Sequence, residues 1–148
     1  MKIGKKALLF SIGGAGYVGL EYLWRGWSHG SMFLAGGSAF LLLGALREKL
    51  HRFSAPVRGI CGAGVITAVE LIAGLLVNRN YTVWDYRPLP LNFMGQIWLP
   101  FSLLWIPVSL LGMFLYRLAD RGLRQSRQFL LYFSSVSGYH GGITGKEG

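Results

Sequence analysis

Trp84-Asp85-Tyr86-Arg87-Pro88-Leu89-Pro90-Leu91-Asn92-Phe93-Met94-Gly95-Gln96-Ile97 is the long polar and aromatic passage of this 148-residue chain outside its basic stretches. It separates two apolar runs of membrane-spanning length, 57–77 and 97–116. Trp, Tyr and Asp suit a membrane–water boundary, where amphipathic rings anchor and a carboxylate stays hydrated. Pro88 and Pro90 hold the chain extended, because each disfavours helix at the residue before it. Asn92 is then placed to cap the helix that follows. The passage reads as a fixed lid that packs over the outer ends of the first and third apolar runs.

Working outward, two further runs precede it, 7–24 and 31–46. The second is short for a hydrocarbon core of about 30 Å, so it is expected to begin near Trp27. The positive start at Lys2, Lys5 and Lys6 resembles a signal peptide. However, Gly13, Gly14, Gly16, Gly19 and Glu21 make a poor signal core, and three more runs follow. The expected fold is all-α, an integral membrane bundle of four transmembrane helices. Pro107 lies inside the fourth, where a kink is expected.

Composition agrees. Apolar residues make up 52% and charged residues 14% of the chain, against about 25% charged in soluble domains. The net charge of +9 sits at the ends of apolar spans rather than on a basic face, which excludes nucleic acid as a partner. Cys61 stands alone, so there is no disulfide framework or multi-cysteine metal site, and a packing role is expected for it. No nucleophile–base pattern, metal-ligand spacing or phosphate loop is present. The reading is therefore of a non-enzyme without cofactor or metal.

Twelve of the fifteen Lys and Arg residues lie in the N-terminus, the loop after the second run and the C-terminal region; Arg25, Arg79 and Arg87 lie opposite. The positive-inside rule then places both termini in the cytoplasm, and the expected location is a bacterial cytoplasmic membrane. Residues 1–118 form the membrane domain, and 119–148 a basic cytoplasmic or interfacial tail ending in a disordered Gly-rich segment. Arg117, Arg121, Arg124 and Arg127 recur at helical spacing. They would dock on anionic lipid or on a cytoplasmic partner.

Trp84-Asp85-Tyr86 followed by Pro90, Asn92, Gly95 and Ile97 resembles the signature of the CmpB-type ABC-transporter permease family. The resemblance reaches back to Glu21, Gly30 and Glu70 and covers roughly residues 10–118. Two features depart from it. Arg87 stands where members often carry Ser, and His29-Gly30 and Gly36-Gly37 replace the usual Asn-Arg-Gly and Gly-Pro. The resemblance implies a small multi-pass transport component. Since the chain holds no ATPase module, an ATP-driven role would need a separate ATPase subunit.

A shift of 49 residues puts Glu21 on Glu70 and Gly13-Gly14-Ala15 on Gly62-Ala63-Gly64. The chain thus reads as two copies of one helical hairpin in parallel orientation. Ala15 with Gly19, and Gly64 with Ala68, form small-xxx-small faces, which would make spans one and three the inner pair. Glu21 has Arg25 one turn later, in the order that favours an ion pair. Glu70 has Gly74 there instead, and a carboxylate at membrane depth costs on the order of 3 kcal/mol. It needs Arg25 or Arg79, hydrogen bonds from Trp84 and Asn92, or neutrality. The function expected is a permease-like transport component with an outward polar pocket of Glu21, Arg25, Glu70, Trp84, Asp85, Tyr86, Asn92 and Gln96. Four helices enclose little space, so a homodimer or larger assembly in the bilayer is expected. The alternative is a non-transporting accessory or structural membrane protein whose glutamates serve helix packing.

Overall fold

The computed structural model describes residues 3–141. It contains four helices, α1 (Ile3–Arg25), α2 (Gly30–Lys49), α3 (Ala55–Val77) and α4 (Leu99–Gly141), and one antiparallel ribbon of β1 (Asn92–Phe93) and β2 (Ile97–Trp98). The all-helical fold is the one the apolar runs imply. Among the described residues α2, α3 and the 99–135 part of α4 are long and apolar enough to cross a membrane. α1 matches them in length, but its glycines, Glu21 and Arg25 leave it less apolar. The exposed surface is that of a membrane protein: Leu34, Leu42, Ile60, Ile72, Leu103 and Leu111 all stand outside the bundle, far beyond what a soluble monomer leaves wet.

The chain divides into two compact units, Met1–Arg117 and Leu118–Gly148. In the first, α1 packs along α2, and α2 also packs on α3. Lipid tails are as apolar as leucine, so helices associate in a membrane by close packing rather than by the hydrophobic effect. Glycine supplies that closeness. A Cβ on Gly13 or Gly14 would strike Phe40 or Phe33, and one on Gly36 or Gly37 would strike Tyr17 or Phe10. On α3, Gly59 and Gly62 receive Ile106 and Ser109 of α4. The Ser109 hydroxyl, fully buried, donates to the Gly59 carbonyl at 3.0 Å. Leu43, Ile66 and Met113 bring α2, α3 and α4 together at the core.

Several expectations change. Ala15, Gly19, Gly64 and Ala68 are exposed, so the inner pair is not α1 with α3; α2 occupies the centre. Gly13 and Gly62, matched by the 49-residue shift, do share one role, since each receives a side chain from the second helix of its own hairpin. Cys61 is exposed rather than packed, because Gly62 and Gly59 take the face toward α4. α2 starts at Gly30, not near Trp27. The His29 ring accepts from the Ser31 amide and caps it there. α4 starts at Leu99, because Ile97 and Trp98 pair with Phe93 and Asn92. It continues as helix through Pro107 and to Gly141. That end is past the start of the Gly-rich stretch at Gly138, and 142–148 lie outside the described residues.

Arg58, in the first turns of α3, has a buried Nε without a hydrogen-bond partner among the described residues. An unpaired buried donor costs about 1–3 kcal/mol, whereas the stem of the side chain packs like an aliphatic group. Arg58→Met should therefore leave stability in detergent unchanged or raise it by up to about 1 kcal/mol. A loss greater than that would show that the guanidinium has a partner.

Candidate functional site

The loop 78–98 is built on Asn78, which follows α3 as its C-cap and is fully buried. Its Oδ1 accepts from the backbone N–H of Val83 at 2.9 Å and of Trp84 at 3.4 Å. Its Nδ2 donates to the Trp84 carbonyl at 2.7 Å and to Gln96 Oε1 at 3.0 Å. Gln96, 2% exposed, returns the bond from Nε2 to the Asn78 carbonyl at 3.1 Å. Trp84 Nε1 donates to the Gln96 carbonyl at 2.8 Å. Buried amides are stable only when so satisfied. Gly74 leaves room for Gln96, since a Cβ there would meet its side chain.

Arg25 ties this loop to the end of α1. Its Nη1 donates to the Val83 carbonyl at 2.9 Å and its Nη2 to Glu21 Oε1 at 2.9 Å, with the guanidinium 4.2 Å from the Trp27 ring centroid. Ser28 donates its hydroxyl to Glu21 Oε2 at 2.6 Å. Glu21 is thus an ion-paired carboxylate, as its spacing from Arg25 implies. Glu70 is half-buried and pairs with neither Arg25 nor Arg79. Trp105 Nε1 donates to its Oε2 at 3.1 Å, and the Tyr86 hydroxyl reaches its Oε1 over a long 3.4 Å. The donors expected for it, Trp84 and Asn92, are committed to the loop instead. Burial foremost, then the charge of Glu70, pushes the Tyr86 hydroxyl above its ordinary range, so it stays a donor. Tyr86, Trp98, Phe101 and Trp105 form a ladder of rings with centroids 5.3–6.4 Å apart, the spacing of favourable aromatic pairs.

Asp85 lies apart from the carboxylate layer. It is exposed and holds Arg87 at 2.7 and 2.8 Å, which keeps it below the usual carboxylate range. Arg87 in turn lies 3.9 Å from the Tyr81 ring centroid. Asn92 does not cap α4. It donates to the Leu89 carbonyl at 2.7 Å and accepts from Gly95 N–H at 2.9 Å. A turn follows in which Met94 and Gly95 both take positive φ and Gln96 N–H reaches the Phe93 carbonyl at 3.0 Å, the geometry of a type I′ hairpin turn. Gly95 permits that backbone at no steric cost. The turn aims Gln96 inward.

The family model described as "Putative ABC-transporter type IV" matches residues 18–137. The chain belongs to this family. The match takes in both glutamates and the whole 78–98 loop. No curated protein and no solved structure matches the chain.

Within this type IV family member, the structure brings Glu21, Arg25, Glu70, Trp84, Tyr86 and Gln96 into one layer and leaves Asp85 and Asn92 to shape the loop. Arg117 ends the first unit, while Arg121, Arg124 and Arg127 belong to the second. Three residues of the layer lie outside the sequence-based set. Asn78 is its hub. Trp105 is the nearest donor to Glu70. Tyr17, half-buried, lies within electrostatic range of both glutamates. A cavity of about 400 Å³ opens elsewhere, between α3 and α4, walled by Ile60, Ala63, Gly64, Thr67, Ser102 and Ile106. Glu70 is not part of its wall.

Proposed function

We propose that this chain is a small permease-like component of a transport system, crossing the membrane four times with both termini in the cytoplasm. Its working residue is Glu70. The observation that carries the reading is a carboxylate within the span of α3 that meets no basic side chain among the described residues. Two aromatic side chains, Tyr86 and Trp105, donate to it, and the loop that carries Tyr86 is tied to α1 by Arg25. An intramembrane ionisable group of this kind marks a substrate or ion path more often than a packing feature. The bundle completes its path by pairing with a second copy or joining a larger assembly, and a separate ATPase subunit supplies ATP hydrolysis. Membership of the family supports a transport-associated role.

A second reading, a non-transporting accessory protein, is favoured by one observation: both glutamates are already hydrogen-bonded, and the cavity lies away from them. Copurification from native membranes separates the two. Recovery of an ATPase together with substrate uptake in vesicles containing the pair supports transport. Recovery of an otherwise complete transporter that works unchanged without this chain supports the accessory role. Cysteines placed beside Arg52 and Arg124 should resist labelling from outside, and one beside Arg87 should label; the reverse pattern would overturn the topology.

A further inference from the structure

The second unit, the helix from Leu118 onward, presents large exposed apolar side chains. Phe129, Leu130 and Phe133 are 61%, 68% and 57% exposed. Leu131 and Tyr132 are exposed as well, but fall about 160° and about 100° from Phe133, outside the face that the other three share. On a helix of 3.6 residues per turn, Leu118, Gly122, Ser126, Phe129 and Leu130 all fall within about 60° of Phe133. The charged residues fall elsewhere. Arg121 and Arg127 lie about 120° to either side of Phe133, and Arg124 lies opposite it. Arg124 is already engaged, its Nε donating to Asp120 at 2.8 Å, while Arg121 and Arg127 flank the apolar face from both sides.

We propose that this helix lies in the headgroup layer of an anionic membrane, its Phe129–Phe133 face in the acyl boundary and Arg121 and Arg127 on lipid phosphates. A helix lying in the interface buries its apolar face by about 5–10 Å and lets flanking basic side chains reach back up to the phosphates. Only such a surface meets both features at once. An acidic soluble protein would satisfy the arginines but leave the phenyl rings wet. A second copy of the helix would set Arg121 and Arg127 of both chains along the flanks of one seam, where like charges repel and nothing in the apolar face offsets them. Arg117 and Leu118 mark the boundary of the two units, and α4 is helical on both sides of it. The inference is independent of whether Glu70 transports anything.

The test uses the full chain carrying Cys61→Ser and Ser126→Cys, with an environment-sensitive fluorophore on the new thiol at the centre of the apolar face. It is reconstituted in phosphatidylcholine vesicles with and without phosphatidylglycerol. With the anionic lipid, emission should shift to the blue and access of a water-soluble quencher should fall about tenfold, and high salt should reverse this. Arg121→Gln with Arg127→Gln should abolish the shielding. Arg124→Gln should leave it unchanged, and Lys at 121 and 127 should restore it. A probe that stays quenchable in anionic vesicles would overturn the proposal. So would shielding that ignores lipid charge and the arginines, or shielding that follows protein density and so reports a second copy.

Discussion

Asn78→Ala should destabilise the protein by about 3–4 kcal/mol and loosen the whole 78–98 loop. The side chain makes four hydrogen bonds from a fully buried position. Alanine leaves the Val83 and Trp84 amides and one side of Gln96 without partners, in a place water does not reach. Asn78→Asp should be no better, although it is the closer match in shape. Val83 N–H can only donate, so the oxygen of Asn78 must face it and the NH₂ must face the Trp84 carbonyl and Gln96 Oε1. Aspartate would set an oxygen against those two acceptors. Thermal unfolding in detergent measures the loss, and tryptic cleavage at Arg79 reports the loop. A shift below about 1 kcal/mol for both variants would mean that the loop keeps its fold without this hub.

The membrane architecture was legible because the bilayer imposes a one-dimensional rule. A span must satisfy its own backbone over a fixed thickness, so run length and flanking charge read almost directly as helices. The third run, 57–77, lies within α3, Ala55–Val77. Faces were less legible than lengths. α1 carries Gly13, Gly14, Gly16 and Gly19 around its circumference, so small-residue spacing alone cannot say which row meets a neighbour. The row that does is chosen by Phe33 and Phe40 on α2. The aromatic loop and the Glu21–Arg25 pair were readable as local features. Asn78 looked like the end of an apolar run. Its signal, an amide just past a helix C-terminus with Gly74 one turn before, gains meaning only with Gln96 eighteen residues on. Tyr17 stood one turn before Glu21, on the same face, and could have been found by that spacing. Nothing in the sequence marks which side of α4 turns Trp105 toward Glu70.

Glu70→Gln should abolish transport while leaving the fold within about 1 kcal/mol of the parent protein. The geometry makes glutamine an unusually clean probe. Trp105 Nε1–H can only donate, so the amide oxygen must take the Oε2 position facing it at 3.1 Å. The NH₂ then faces Tyr86, whose hydroxyl can turn and accept. Both contacts survive, and only the capacity to carry a charge or exchange a proton is lost. Glu70→Ala deletes both acceptors and strands the half-buried Trp105 N–H, so it should cost about 2–3 kcal/mol as well as activity. Trp105→Phe removes the shorter bond while keeping the ring ladder, and should weaken activity less than Glu70→Gln. The variants are compared by uptake per folded molecule in reconstituted vesicles, beside their melting in detergent. If Glu70→Gln transports as well as the parent and Glu70→Ala differs only in stability, the carboxylate is a packing device. The path would then have to run elsewhere, with the cleft between α3 and α4 the first place to look.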